Sequence, residues 1–139
     1  MIDFHGFCLQ DADDSWIPSL FPRDFDAGIF LSSKVGRLDI GSAGHTHTAE
    51  VTVEVWDSQP LQPAGEWDET GMASIICKSG LLKAWAVAGG PMPDAIELPE
   101  AGKEWAVRVA CSGRSEVARL SRESVPQAVE KYLMQFWLK

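Results

Sequence analysis

From Thr48 to Trp56 the chain alternates without a break: Ala49, Val51, Val53 and Val55 are apolar, while Thr48, Glu50, Thr52 and Glu54 are polar. Successive side chains of an extended backbone point to opposite faces, so this stretch reads as a strand with one face on a core. Lys103 to Ser112 repeats the pattern, with Trp105, Val107, Val109 and Cys111 in one phase and Glu104, Ala106, Arg108 and Ala110 in the other, and it stops at Gly113. Weaker runs of the same kind occur at Ile2 to Leu9, Ala27 to Ser32, Arg37 to Ile40, Ala73 to Lys78 and Leu81 to Ala88. Breakers separate them. Ser79-Gly80 is a tight break, whereas Gln59 to Gly65 and Gly89 to Pro93 are longer connections rich in Pro and Gly. Before Gly113 no stretch holds a helical period long enough to supply the crossovers of a parallel sheet. The expected fold is all-β: an antiparallel β-sandwich of about seven to nine short strands with little helix.

The C-terminal segment supports two readings. Val125, Val129, Tyr132, Leu133, Phe136 and Trp137 recur at helical spacing, and Ser124 with Gln127 matches a capping box. Tyr132 to Lys139 is also rich in strand-favouring aromatics, with Pro126 placed to stand just outside a strand that begins near Lys131.

A chain of 139 residues is of single-domain size and is expected to form one sandwich over residues 1–139. Surface scaling lets such a chain bury about two thirds of its unfolded surface, so no covalent staple is required. Cys8, Cys77 and Cys111 are odd in number and widely spaced, which matches neither a disulfide framework nor a zinc or redox motif. They are expected to be reduced. No basic segment leads into a long apolar run at the N-terminus, and no stretch approaches the length of a membrane span, so a cytoplasmic location without membrane association is expected.

The net charge of −8 is unevenly placed: residues 1–70 hold thirteen acids and three bases, residues 71–139 seven acids and nine bases. An acidic first half argues against nucleic acid as a partner, because phosphate neutralisation needs clustered Lys and Arg. Its acids gather at Asp11, Asp13 and Asp14, at Asp24 and Asp26, and at Glu66, Asp68 and Glu69, each group beside Pro, Gly or Ser and therefore in loops. Such loops serve solubility, or they form a docking face for a basic protein. Trp16 and Trp67 lie among these acids and are the aromatic anchors such a face would use, although a loop Trp also pins its loop to the core. Trp105, Trp85 and Trp137 sit in apolar phases and are assigned to packing, while Trp56 falls on the polar face of its strand.

Other chemistry is poorly supported. His45 and His47 are spaced to share a strand face and give the alternative reading, a small-ligand or metal-binding jelly-roll-like domain. The cupin pattern they evoke places a Glu four residues after the second His, and Glu50 is three residues on, turned to the opposite face. Asp11 to Asp14 lacks the Gly and Glu of a calcium loop, with Trp16 and Pro22 in those places. Gly41-Ser42-Ala43-Gly44 is not a nucleophile elbow. No catalytic constellation, metal site or cofactor is expected.

The order Asp3-Phe4-His5-Gly6-Phe7, then Val51 to Trp56-Asp57, then Trp105 to Arg108 with Gly113-Arg114, then Lys131 to Leu138 resembles the ComJ family of small bacterial β-sandwich proteins. The family's namesake inhibits a competence nuclease. The resemblance lies in element order and carries over no individual contact residue. It implies a nuclease inhibitor or toxin-immunity protein, and it implies that Tyr132 to Leu138 is a strand.

Overall fold

A computed structural model describes all 139 residues. The chain folds into nine strands and one short helix: β1 (Gly6–Asp11), β2 (Leu31–Lys34), β3 (Arg37–Gly41), β4 (Thr48–Trp56), β5 (Glu69–Ile76), β6 (Leu81–Ala86), β7 (Gly90–Glu97), β8 (Glu104–Ser112), α1 (Arg114–Leu120) and β9 (Gln127–Leu138). They form two sheets, one in the order β2-β3-β1-β6-β7 and the other β4-β9-β8-β5. Every pairing is antiparallel except β4 with β9, which run parallel from Thr48↔Gln127 to Trp56↔Trp137. The all-β, two-sheet expectation holds, and the C-terminal segment is strand. Its aromatics fall into alternating phases, with Tyr132, Met134 and Phe136 facing the core.

The inner faces of both sheets build the core from Phe7 and Leu9 (β1), Leu38 and Ile40 (β3), Leu82 (β6), Val107 and Val109 (β8), and Met134 and Phe136 (β9). The apolar phase predicted for β8 is the one that faces the core between the sheets. The three cysteines are free and buried; burial pushes the Cys77 thiol up to about 11 and the Cys111 thiol up to about 12, which leaves them unreactive.

Several sequence expectations change. β1 starts at Gly6 rather than Ile2, because Phe4 (φ 49°) and His5 (φ 62°) turn the chain through left-handed conformations. The tight break at Ser79-Gly80 joins strands of different sheets, β5 and β6, so the turn crosses the sandwich. Gly89 to Pro93 lies largely inside β7, which tolerates Pro91 and Pro93 because it is an edge strand. Asp11 is the last residue of β1 and Glu69 the first of β5, rather than loop residues, because each pairs in a sheet.

The outer faces explain where the long loops go. Residues 12–30 cross the outside of the β1/β3 sheet, and residues 57–68 cross the outside of the β8/β9 sheet. One buried arginine grips each. Arg37 on β3 donates to Ser19 O (3.0 Å) and to Arg23 O, and is paired with Asp39 at 3.0 Å. Arg108 on β8 donates to Pro60 O (3.2 Å) and Leu61 O (3.1 Å), with its guanidinium over the Trp137 ring. Both arginines are at most 4% exposed. Central strands β1, β3 and β8 are therefore buried on both faces, and their outward polar residues bind loop backbone instead of water. Replacing Arg108 with Leu strands two carbonyls. The variant should lose about 2 kcal/mol of stability and become cleavable by protease between Pro60 and Trp67, measured by denaturant unfolding and limited proteolysis.

Candidate functional site

The two gripped loops carry the acidic residues singled out in the sequence, and the fold sorts them into two ends of the sandwich. Asp11 is 1% exposed and does not belong to any surface. Its carboxylate accepts from Asp13 N (3.0 Å), Trp16 Nε1 (2.9 Å), Lys78 N (2.8 Å) and Ser79 Oγ, tying the start of the first loop to the turn between β5 and β6. Trp16 is half-buried, with the Lys78 ammonium 4.5 Å from its ring, and so pins the loop. Asp13 and Asp14 are exposed at this end, where Asp13 caps a single helical turn by accepting from Ser15.

At the opposite end the two loops meet. Asp26 accepts from Gly28 N, and this segment lies against Gly41, whose backbone packs under Ala27 O and Ile29 O. Arg114 at the start of α1 joins the pieces. Its Nη1 donates to Gly41 O (3.0 Å), its guanidinium lies over Phe30, and its backbone N donates to Asp68 Oδ2 (3.0 Å). Asp26, Asp68 and Glu69 are exposed here, with exposed Glu66 and half-buried Trp67 just ahead of Asp68 in the chain; Asp24 is exposed as well, but its carboxylate accepts from Ser19 Oγ (3.1 Å), whose carbonyl Arg37 holds. Four of the expected acids, Asp26, Glu66, Asp68 and Glu69, thus lie at or next to this end, while Asp24 sits by Ser19 and Asp13 and Asp14 are at the other end.

The histidines separate. His45 is exposed, its ring against Phe4 and His5, whereas His47 is fully buried. Their residues lie in the turn ahead of β4 rather than on one strand face, so they do not form a shared ligand pair.

Under this end lies a buried polar cluster that the sequence reading passed over. His47 Nε2 is 2.7 Å from Ser42 Oγ, and Ser42 donates to Glu130 Oε1 (2.6 Å). Tyr132 OH donates to the same oxygen at 2.6 Å, Ala43 N donates to Oε2, and Arg114 Nη1 lies 3.7 Å from Oε2. The serine stands between His and Glu with its proton already committed to the carboxylate, so the cluster offers no activated nucleophile. It locks β9 to the turn after β3. The available signal was Glu130 itself, an acid in the inward phase of Tyr132, Met134 and Phe136.

Two acid-sensitive steps follow from these groups. Burial is the larger influence on His47 and, against the pull of Glu130, lowers its pKa below the ordinary 6.5. A depressed histidine favours the folded state while neutral, so that contribution is intact above pH 6.5 and lost as pH falls below it. For Asp11, burial works upward, but the hydrogen bonds from Ser79, Asp13 and Trp16 outweigh it and hold the carboxyl below its ordinary 3.8. Its contribution is present above pH 3.8 and lost below it. Stability measured against pH should decline in these two windows, with His47→Gln flattening the first and Asp11→Ala removing the second along with about 3 kcal/mol at neutral pH.

Strand order and register together define a two-sheet all-β protein. No family model matches the sequence, and no curated protein matches it. Among solved structures its fold is similar to the crystal structure of ComJ from Bacillus subtilis, described as the inhibitor of the DNA degrading activity of NucA. The TM-score is 0.67 over 99% of this chain and 91% of that one, at 11% sequence identity. At that identity the likeness is one of fold. No helix is long and apolar enough to cross a membrane.

Proposed function

We propose that this protein is a small acidic binding module that inhibits a basic nuclease or toxin by docking on it. The observation that carries the reading is the end-to-end likeness in fold to ComJ, an inhibitor of a nuclease. Charge supports the same conclusion. A nuclease surface that receives phosphates is cationic, and the exposed carboxylates of Asp26, Glu66, Asp68 and Glu69 toward one end of this sandwich are complementary to it. Their loops are held by Arg37, Arg108 and Arg114, so the charges are presented on an ordered scaffold rather than on free chain. Trp67, among those acids, supplies apolar contact area for the bound state, and Trp16 does the same beside Asp13 and Asp14. Three free thiols suit action in the reducing cytoplasm.

The test is a DNA-cleavage assay in which the protein is titrated against Bacillus subtilis NucA and against nucleases that co-purify with it from its source. Stoichiometric loss of cleavage is expected with at least one. If every nuclease keeps full activity under excess protein, the inhibitor reading falls. With the inhibited nuclease in hand, Asp26→Asn, Glu66→Gln and Glu69→Gln combined should slow association about tenfold and leave dissociation nearly unchanged. Asp13→Asn with Asp14→Asn, at the far end, should slow it less. Raising salt from 0.1 to 1 M, which shortens the screening length from about 10 to about 3 Å, should remove most of the difference.

A further inference from the structure

The sandwich closes on one side only. There β2 packs onto β5, whereas the outermost strands on the other side, β4 and β7, stand apart and leave a cleft of about 360 Å³ between the sheets. Small residues make the gap. Ala49 of β4 and Ala84 of β6 line it from the two sheets, with Val51 and Val53 alongside, and Asp94 is the one polar residue in the wall. Val51 points inward by its phase, yet it is 42% exposed. Its apolar face thus opens the cleft to solvent along β4.

The edge beside the cleft is equally open. β4 is hydrogen-bonded to β9 along one side and has no strand on the other. The chain itself makes one rung there. Thr48 N turns towards β9, to Pro126 O, so the backbone of His47 faces the open side, where Ile2 N donates to His47 O (2.6 Å) and His47 N donates to Ile2 O (3.0 Å). That rung is antiparallel and brings Met1 to the wall of the cleft. An antiparallel bridge is thus already made one residue ahead of β4, and no strand pairs along that side of β4 itself. On the outer face of β4, Glu50 and Glu54 stand where the outward side chains of an added strand would lie opposite them. Glu50 has only a loose, solvent-exposed pairing with Lys131 at 3.7 Å.

We propose that the free edge of β4 takes an antiparallel extended segment of the partner, its alternate apolar side chains entering the cleft and Lys or Arg between them facing Glu50 and Glu54. The backbone edge supplies affinity, the cleft selects the apolar positions and the carboxylates select the basic ones. This deepens the inhibitor reading and rests on it for the basic character of the partner. Acidic segments and fatty acids are disfavoured by Asp94 at the wall and the two glutamates outside it.

The test needs no nuclease. A capped peptide of alternating lysine and valine is titrated into the intact protein by calorimetry, with hydrogen exchange read along β4; peptides of lysine with serine and of glutamate with valine are the controls. Saturable binding of the lysine–valine peptide is expected, with slowed exchange in β4. It should weaken about tenfold in Glu50→Lys with Thr52→Lys, both on the surface, and again in Ala84→Phe, which fills the cleft from the facing sheet. The proposal is overturned if that peptide does not bind, if either control binds as tightly, if protection falls on β7 instead, or if both variants keep full affinity. A concentration-dependent dimer that excludes the peptide would assign the edge to a second copy. Nile red filling the cleft of a protein that takes no peptide would assign it to small apolar molecules. Either of these results also overturns the proposal. Nuclease inhibition that survives the edge variants removes this inference and leaves the inhibitor reading standing; peptide binding without inhibition of any nuclease does the reverse.

Discussion

Arg37 and Arg108 lie on opposite outer faces of the sandwich, and each replaces water for two carbonyls of a long loop. A guanidinium carries five donors in a rigid fork and keeps its charge when enclosed, so it can hold irregular backbone against a sheet where a lysine could not do so with the same geometry. The rest of the molecule follows from these two grips. Covered outer faces make β1, β3 and β8 fully buried strands, and the path imposed on each loop carries its acidic residues to a definite end of the fold.

The same arrangement leaves the molecule asymmetric. One end is knit together by Arg114 and the buried Glu130 cluster and surrounded by carboxylates. One long side is closed by β2 against β5, while the other keeps a free strand edge and an apolar cleft. Acidic end and open edge meet near His47, where the chain's own Ile2 makes its rung. An inhibitor needs fast encounter with a cationic target and slow release from it. Exposed charge serves the first, and a desolvated edge with a cleft serves the second.

Legibility tracked how far each residue's role depended on its neighbours in sequence. β4 and β8 were readable because period two is a property of the strand alone, and Asp24, Asp26, Glu66 and Asp68 were readable as loop acids from the Pro, Gly and Ser around them, whereas Glu69 opens β5. β7 was hidden because its prolines are breakers everywhere except on an edge, and edge position is a fact about the sheet. Asp11 read as one more loop acid, since nothing near it in the chain reveals that Lys78 and Ser79, far along the sequence, supply its donors. The Glu130 cluster was missed for the same reason: Ser42, His47 and Glu130 converge from separate segments.

By itself the sequence determined the all-β class, the inward phase of β8, the unpaired chemistry of the cysteines and the negative charge of the loops, because alternation, thiol spacing and charge are counted along the chain. Only the tertiary structure decided which acids are surface and which are fastener, that His45 and His47 part company, and that Val51 in the best-patterned strand faces an open cleft. Periodicity states that a face is apolar. Whether the opposing sheet is present to cover that face depends on how strands far apart in sequence are ordered, and here the sheets end at β4 and β7 before they meet.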